Sequence, residues 1–231
     1  MNLACFLIII QWKERDMVPL EHFLGRCDMR KTIVVILAAT VFLVAAAAEV
    51  SAQDVLMNSA ETINQGNIKL ALFPTVLFGK NGGDSVWGVA GRVGYGLTPR
   101  FDIEAKAAIF KDLRYFGVEA EYWLVQGRNA NVSVALGAHM TDSQGGADSS
   151  GIDTSLLFST KPAERLELYG GLKFAFDSVK NSDQNFTLAH LVPGLEYRIS
   201  ADLDFLAEFG IALNDNSRSY ISVGLALYLL R

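Results

Sequence analysis

The 231-residue sequence predicts an all-β fold, a closed antiparallel up-and-down barrel of ten strands, on three observations. From about residue 66 to the end, apolar and polar residues alternate with period two, and no helical period competes. The alternating segments are even in number. Their connections switch between compact turns and stretches rich in Gly, Asp, Asn and Ser. Two misread segments would reduce the count to eight.

In chain order, the first strand runs from near Ile68 to Phe78. The second sets Trp87, Val89, Gly91, Val93, Tyr95 and Leu97 on one face and Gly88, Ala90, Arg92, Gly94 and Gly96 on the other. The third opposes Phe101, Ile103, Ala105, Ala107 and Ile109 to Asp102, Glu104, Lys106, Ala108 and Phe110. The same scheme recurs around Phe116–Leu124, Val132–Met140, Ile152–Ser159, Leu166–Phe176, His190–Ile199, Leu203–Leu213 and Tyr220–Leu229. Pro74 and Pro193 each remove a ladder donor, which predicts a bulge or register change there. The turns at 98–100, 126–131, 161–164 and 200–202 are compact. The opposite set includes two longer loops, 141–150 and 178–185, expected to make surface contacts.

Ahead of the barrel, Arg30-Lys31 leads into an apolar run from Thr32 to Ala48 that ends in Val50-Ser51-Ala52. A basic region, an apolar core and a small terminal residue are the parts of a secretory signal peptide, here 29–52, with cleavage between Ala52 and Gln53. Residues 1–28 read as an upstream extension from start choice. Residues 53–65 read as a short N-terminal periplasmic segment: a helix, a plug or a tail. Cys5 and Cys27 both precede Gln53, so residues 53–231 exclude disulfides, thiolate catalysis and cysteine metal sites. A formal net charge of −5 and a pI near 5.2 argue against nucleic acid as a partner.

Alternation alone does not say which face is inside. A soluble barrel hides its apolar stripe, whereas a membrane barrel turns it to lipid. The stripes here are long and nearly free of charge, and Tyr95, Phe101, Tyr122, Phe176 and Tyr197 fall towards strand ends as an interfacial girdle would. Segments of about 10 residues, tilted, cross a bilayer core. The barrel, residues 66–231, is therefore expected to be transmembrane in a bacterial outer membrane, with lipid as its partner. The short turns and both chain ends would face the periplasm. The stretch Ser222-Val223-Gly224-Leu225-Ala226-Leu227-Tyr228-Leu229 resembles the assembly signal of bacterial outer-membrane proteins, with Ser222, Gly224, Leu227 and Leu229 at its defining positions. That resemblance implies insertion by the barrel-assembly machinery. Many such barrels end on an aromatic residue, whereas Leu230-Arg231 follow here.

Arg92, Glu104, Lys106, Glu119, Glu121, Lys173, Glu196, Arg198, Asp204 and Glu208 are the expected lumen lining. They would serve either as a salt-bridged plug or as the wall of a narrow porin-like channel. Ten strands lie near the filled limit, since wide pores need about 16. The expected role is therefore a non-enzymatic outer-membrane barrel, envelope-structural or channel-forming. The alternatives are a soluble exported lipocalin-like barrel holding an apolar ligand, and a lipid-modifying outer-membrane enzyme using His139. Omptin proteases use Asp pairs with an Asp-x-His, but the sole Asp-x-Asp here is Asp202-Leu203-Asp204 at the periplasmic end, and Asp-x-His is absent. Lipid A deacylases use His-x-Ser with a Glu. His139-Met140-Thr141 is the nearest match, with no partner carboxylate in view. His190 reads as lumen lining. Asp142, Asp148 and Asp153 read as acidic loop residues, solvated in preference to binding a divalent ion. Neither metal nor cofactor is expected, and no phosphate-loop motif occurs.

Overall fold

A strand forms wherever the alternation runs: β1 (Ile68–Leu77), β2 (Val86–Thr98), β3 (Phe101–Phe110), β4 (Leu113–Gln126), β5 (Asn131–Ser143), β6 (Ser149–Ala163), β7 (Leu166–Val179), β8 (Asn185–Arg198), β9 (Leu203–Ala212) and β10 (Tyr220–Leu229). The computed structural model describes residues 59–80, 83–111, 113–127, 130–143 and 148–229. The expected signal peptide, its expected Ala52–Gln53 junction and segment 1–28 lie outside these. Each strand pairs antiparallel with its sequence neighbours, and β1 pairs with β10 from Ile68↔Leu229 to Leu77↔Tyr220, closing the barrel. The registers together stagger the sheet by twelve residues on closure, so the strands tilt. Ten strands rule out the eight-stranded alternative.

The two faces of the wall are inverted relative to a soluble barrel. Trp87 is 76% exposed on the outside, and Val118 and Leu136 are 62% exposed, whereas the charged residues of the opposite parity are buried. An outward apolar surface of this extent belongs in hydrocarbon. This overturns the lipocalin-like alternative, which needs an apolar interior. Outward aromatics pair across strands near the short turns, Phe101 with Tyr122 and Tyr197 with Phe205, forming part of the expected girdle.

Three sequence expectations are corrected. Neither proline causes a bulge: β1 keeps one register with β10 on both sides of Pro74, and β8 keeps one with β9 on both sides of Pro193. Both prolines are exposed on the outer face, where the strands skip a few pairings without slipping. The bulges fall beside the short turns instead, between Gly96 and Thr98, Trp123 and Val125, and Thr160 and Ala163. Finally, the loops read as 141–150 and 178–185 are strand at their ends, since β5 reaches Ser143, β6 starts at Ser149, β7 reaches Val179 and β8 starts at Asn185. Polar Ser, Asp and Asn residues there extend the wall beyond the apolar band, which hid the strands from a reading based on alternation.

One side of the inside is packed with aromatic and small residues. Phe73, Phe110, Tyr115, Leu206 and Tyr220 form a buried cluster with Ala71, Ala90, Ala108 and Ala226 against β1–β4, β9 and β10. Gly224 lies at this seam, where a Cβ would stand 2.2 Å from the Leu72 carbonyl oxygen and from a Phe73 ring carbon. A glycine is therefore required where β10 closes on β1.

Candidate functional site in the barrel lumen

Alternation puts every second residue in the lumen, so charges spaced by two line it in rows. Neighbouring strands bring like charges directly opposite: Arg92↔Lys106, Glu104↔Glu119 and Asp102↔Glu121. The rows themselves alternate in sign, so the diagonals carry the attraction. The Glu104 carboxylate accepts from Lys69 Nζ at 3.0 Å and from an Arg92 guanidinium nitrogen at 3.1 Å. Glu119 accepts from Lys106 Nζ at 2.9 Å and faces the other Arg92 terminal nitrogen at 3.5 Å. All five side chains are 2% exposed. Gly94 stands between Lys69 and Glu104 in the register, and its missing side chain lets the lysine reach across. Charges so buried stabilise only when networked in this way.

A second cluster sits towards the longer loops. His139 on β5 lies between two carboxylates, with Nδ1 2.9 Å from Asp153 of β6 and Nε2 2.9 Å from Asp177 of β7. Both contacts are hydrogen bonds at once when the ring is an imidazolium, or when one carboxyl carries the proton. Tyr115 donates to Asp153 at 2.9 Å and stacks on the imidazole with ring centroids 5.2 Å apart. Ser149 donates to Asp177 at 2.7 Å. Further round, Tyr169 and Tyr220 donate to Glu208 at 3.1 and 2.8 Å, and His190 Nε2 lies 3.1 Å from the Arg218 carbonyl oxygen.

At the short-turn end, residues 59–67 run into the mouth. Ala60 is fully buried in one cluster with Leu157 of β6 and Val192 of β8. The Ile63 amide donates to Asp102 at 2.6 Å, and Glu61 meets Asn131 at 3.0 Å and Lys161 at 2.5 Å. The sequence leaves residues 53–65 open to a helix, a plug or a tail, and the described part, 59–65, packs against the inner wall at this mouth.

All ten expected lining residues lie on the inner face. Eight are buried, and Glu196 and Arg198 are partly exposed near the mouth. Lys69, Asp102, Asp153, Glu167 and Asp177 join them there, missing from the expected set although each has the charged parity of its strand. Asp153 is therefore no loop residue, because it sits in β6 facing inward. Asp142 lies at the exposed end of β5, 3.9 Å from Arg114, and Asp148 lies 3.5 Å from Lys180. Two partner carboxylates also replace the expected absence of any at His139, and the sequence hid them because they come from β6 and β7. Among the described residues, no group of three His, Cys, Asp or Glu side chains is arranged to hold a metal ion.

No protein-family model and no curated protein matches this chain. Among solved structures it is similar to an outer-membrane channel from Pseudomonas putida F1, with a TM-score of 0.52 and 10% identity over 76% of this chain and 100% of that one. Weaker likenesses include the N-terminal β-barrel domain of Pseudomonas aeruginosa OprF (TM-score 0.36, 14% identity, 72% of this chain and 100% of that one). The outer membrane protease OmpT from Escherichia coli gives a TM-score of 0.41 at 11% identity, over 74% of this chain and 100% of that one. At such identities the likeness is one of fold. With the inverted faces of the wall, it defines a transmembrane β-barrel of the outer-membrane type.

Proposed function

We propose that this barrel is a non-enzymatic, narrow, cation-preferring pore of the bacterial outer membrane, closed in the conformation described. The observation that carries the reading is the charge balance of the lumen wall. Asp102, Glu104, Glu119, Glu121, Asp153, Glu167, Asp177, Glu196, Asp204 and Glu208 face five Lys and Arg side chains, Lys69, Arg92, Lys106, Lys173 and Arg198, with His139 between Asp153 and Asp177 as a sixth basic group. A purely structural plug in a dry interior calls for compensated charge, because each uncompensated ion costs several kcal/mol. An acidic excess suits a hydrated path that draws in cations. Against a histidine-activated hydrolase stands the placement of His139: both ring nitrogens face carboxylates, so the imidazole is not aimed at the Ser149 hydroxyl, which donates to Asp177.

Export through the 29–52 leader and insertion by the barrel-assembly machinery, read from Ser222, Gly224, Leu227 and Leu229 on β10, belong to the same proposal. The short turns and residues 59–67 then face the periplasm. Planar-bilayer recording under a salt gradient tests it. Infrequent small openings with a reversal potential on the cation side are expected, and replacing both Glu196 and Asp204 by their amides should weaken the preference. Anion selectivity, or a barrel that never conducts, would overturn it and leave the envelope-structural role.

A further inference from the structure

Resting on the pore reading, we infer that residues 59–65 are the pore's gate, a strap hinged at Gly66 and latched near its far end by Glu61. The hinge is made of backbone. Gly66 adopts a φ of +82°, its amide donates to the Gly96 carbonyl at 2.8 Å, and the Gly96 amide donates to the Asn67 carbonyl at 3.1 Å. A residue with a side chain adopts that φ at a cost, so glycine marks the point where the chain leaves β1 and folds back over the mouth.

The barrel is shaped to receive the strap. A Cβ at Gly96 would stand 2.2 Å from the Asn64 carbonyl oxygen, and one at Gly94 would stand 2.4 Å from the Ile63 side-chain terminus. Two inward glycines of β2 thus form the seat, and Ala60 fills the space between β6 and β8.

The two ends of the strap are held by different forces. Near the hinge the contacts are buried: the Ile63 amide on Asp102 and the paired backbone at Gly96. At Glu61, next to the buried Ser59 and Ala60, the tie is ionic and wet. Glu61 and Lys161 are 28% and 35% exposed, and Lys161 also lies 3.7 Å from Glu167. A half-exposed ion pair is weak and screened by salt. The latch is therefore the point that yields first, and its release lets the strap swing about Gly66. Ala60 then leaves Leu157 and Val192, uncovering the wall that carries Glu167, Glu196 and Asp204. Ions in the periplasm control the opening, because the latch lies on that side.

Single-channel recording on the full chain decides the matter, with heat-modifiable gel migration confirming that each variant is folded. Glu61→Ala should raise the open-to-closed ratio about fivefold, the size expected for one such pair, and added salt should do the same to the wild type. Lys161→Ala should raise the ratio likewise, whereas Lys161→Arg, which keeps the charge, should hold the wild-type ratio. Deleting 59–65 should give continuous conduction at the wild-type unit conductance. A deletion variant that opens as rarely as the wild type overturns the gate and leaves the pore standing. If neither conducts, the pore reading itself fails and the gate with it.

Discussion

The two walls of the lumen hold their charge differently. On β1–β4, three cations (Lys69, Arg92 and Lys106) meet four carboxylates (Asp102, Glu104, Glu119 and Glu121), and Arg92 joins Glu104 to Glu119. On β6–β9, two cations (Lys173 and Arg198) meet six carboxylates (Asp153, Glu167, Asp177, Glu196, Asp204 and Glu208). Glu167 stands directly opposite Glu196, with the half-exposed Lys161 3.7 Å from Glu167, and Glu208 is served by tyrosine hydroxyls. The first wall also backs onto the aromatic cluster of Phe73, Phe110 and Tyr220. On the proposed pore reading, the difference separates two jobs. A packed and neutralised wall sets the fold, while the wall left acidic has charge to offer an ion.

The comparison breaks most sharply at Glu104. Replacing it with Gln removes the carboxylate shared by Lys69 and Arg92, so two buried cations lose a counter-ion at once and Arg92 keeps Glu119. A loss of about 3–5 kcal/mol is expected, the usual cost of breaking a buried pair. Urea unfolding of the detergent-folded barrel, followed by heat-modifiable migration, measures it. A loss under about 1 kcal/mol would show the first wall to be solvated like the second.

An intermediate effect is expected at His139, which staples β5 to both Asp153 and Asp177. Leu in its place keeps the bulk but leaves two buried carboxylates facing one another, for a loss of about 2–3 kcal/mol. Hydrogen exchange should locate the loosening at Ser149–Asp153 and Phe176–Val179, with β1–β4 unchanged. Uniform loosening would show that the walls do not behave independently.

How much of this was legible in the sequence follows from the range of each interaction. Strand number, facing and the inward placement of Arg92 or Glu208 are period-two properties, carried by residues two apart. The diagonal Arg92–Glu104 contact depends on strand register, which alternation leaves open, and so does the meeting of His139 with Asp177, 38 residues away. Asp153 was misread because its neighbours Ser149, Ser150 and Gly151 have loop composition, although they extend the wall past the membrane band. The segment at the mouth was harder still. Its sequence, Ser59 to Asn67, has no period, and its position is written in Gly94 and Gly96, which read as ordinary strand glycines until their missing side chains are seen to house Ile63 and Asn64.

The smallest stability effect sharpens the comparison furthest, because its sign is reversed. Glu196→Gln removes a carboxyl from a site directly across from Glu167, so repulsion between the two acids falls. Stability should hold or rise by up to about 1 kcal/mol in the urea assay. The same substitution should reduce the cation preference in a salt gradient, because it takes charge from the wall that faces the passing ion. Acid-to-amide changes of the same chemistry would then act in opposite directions on the two walls, with Glu104 required by the fold and Glu196 tolerated by it for conduction. Equal destabilisation at both positions would mean that the acidic wall is also neutralised within the barrel, and the division of labour between the walls would be lost.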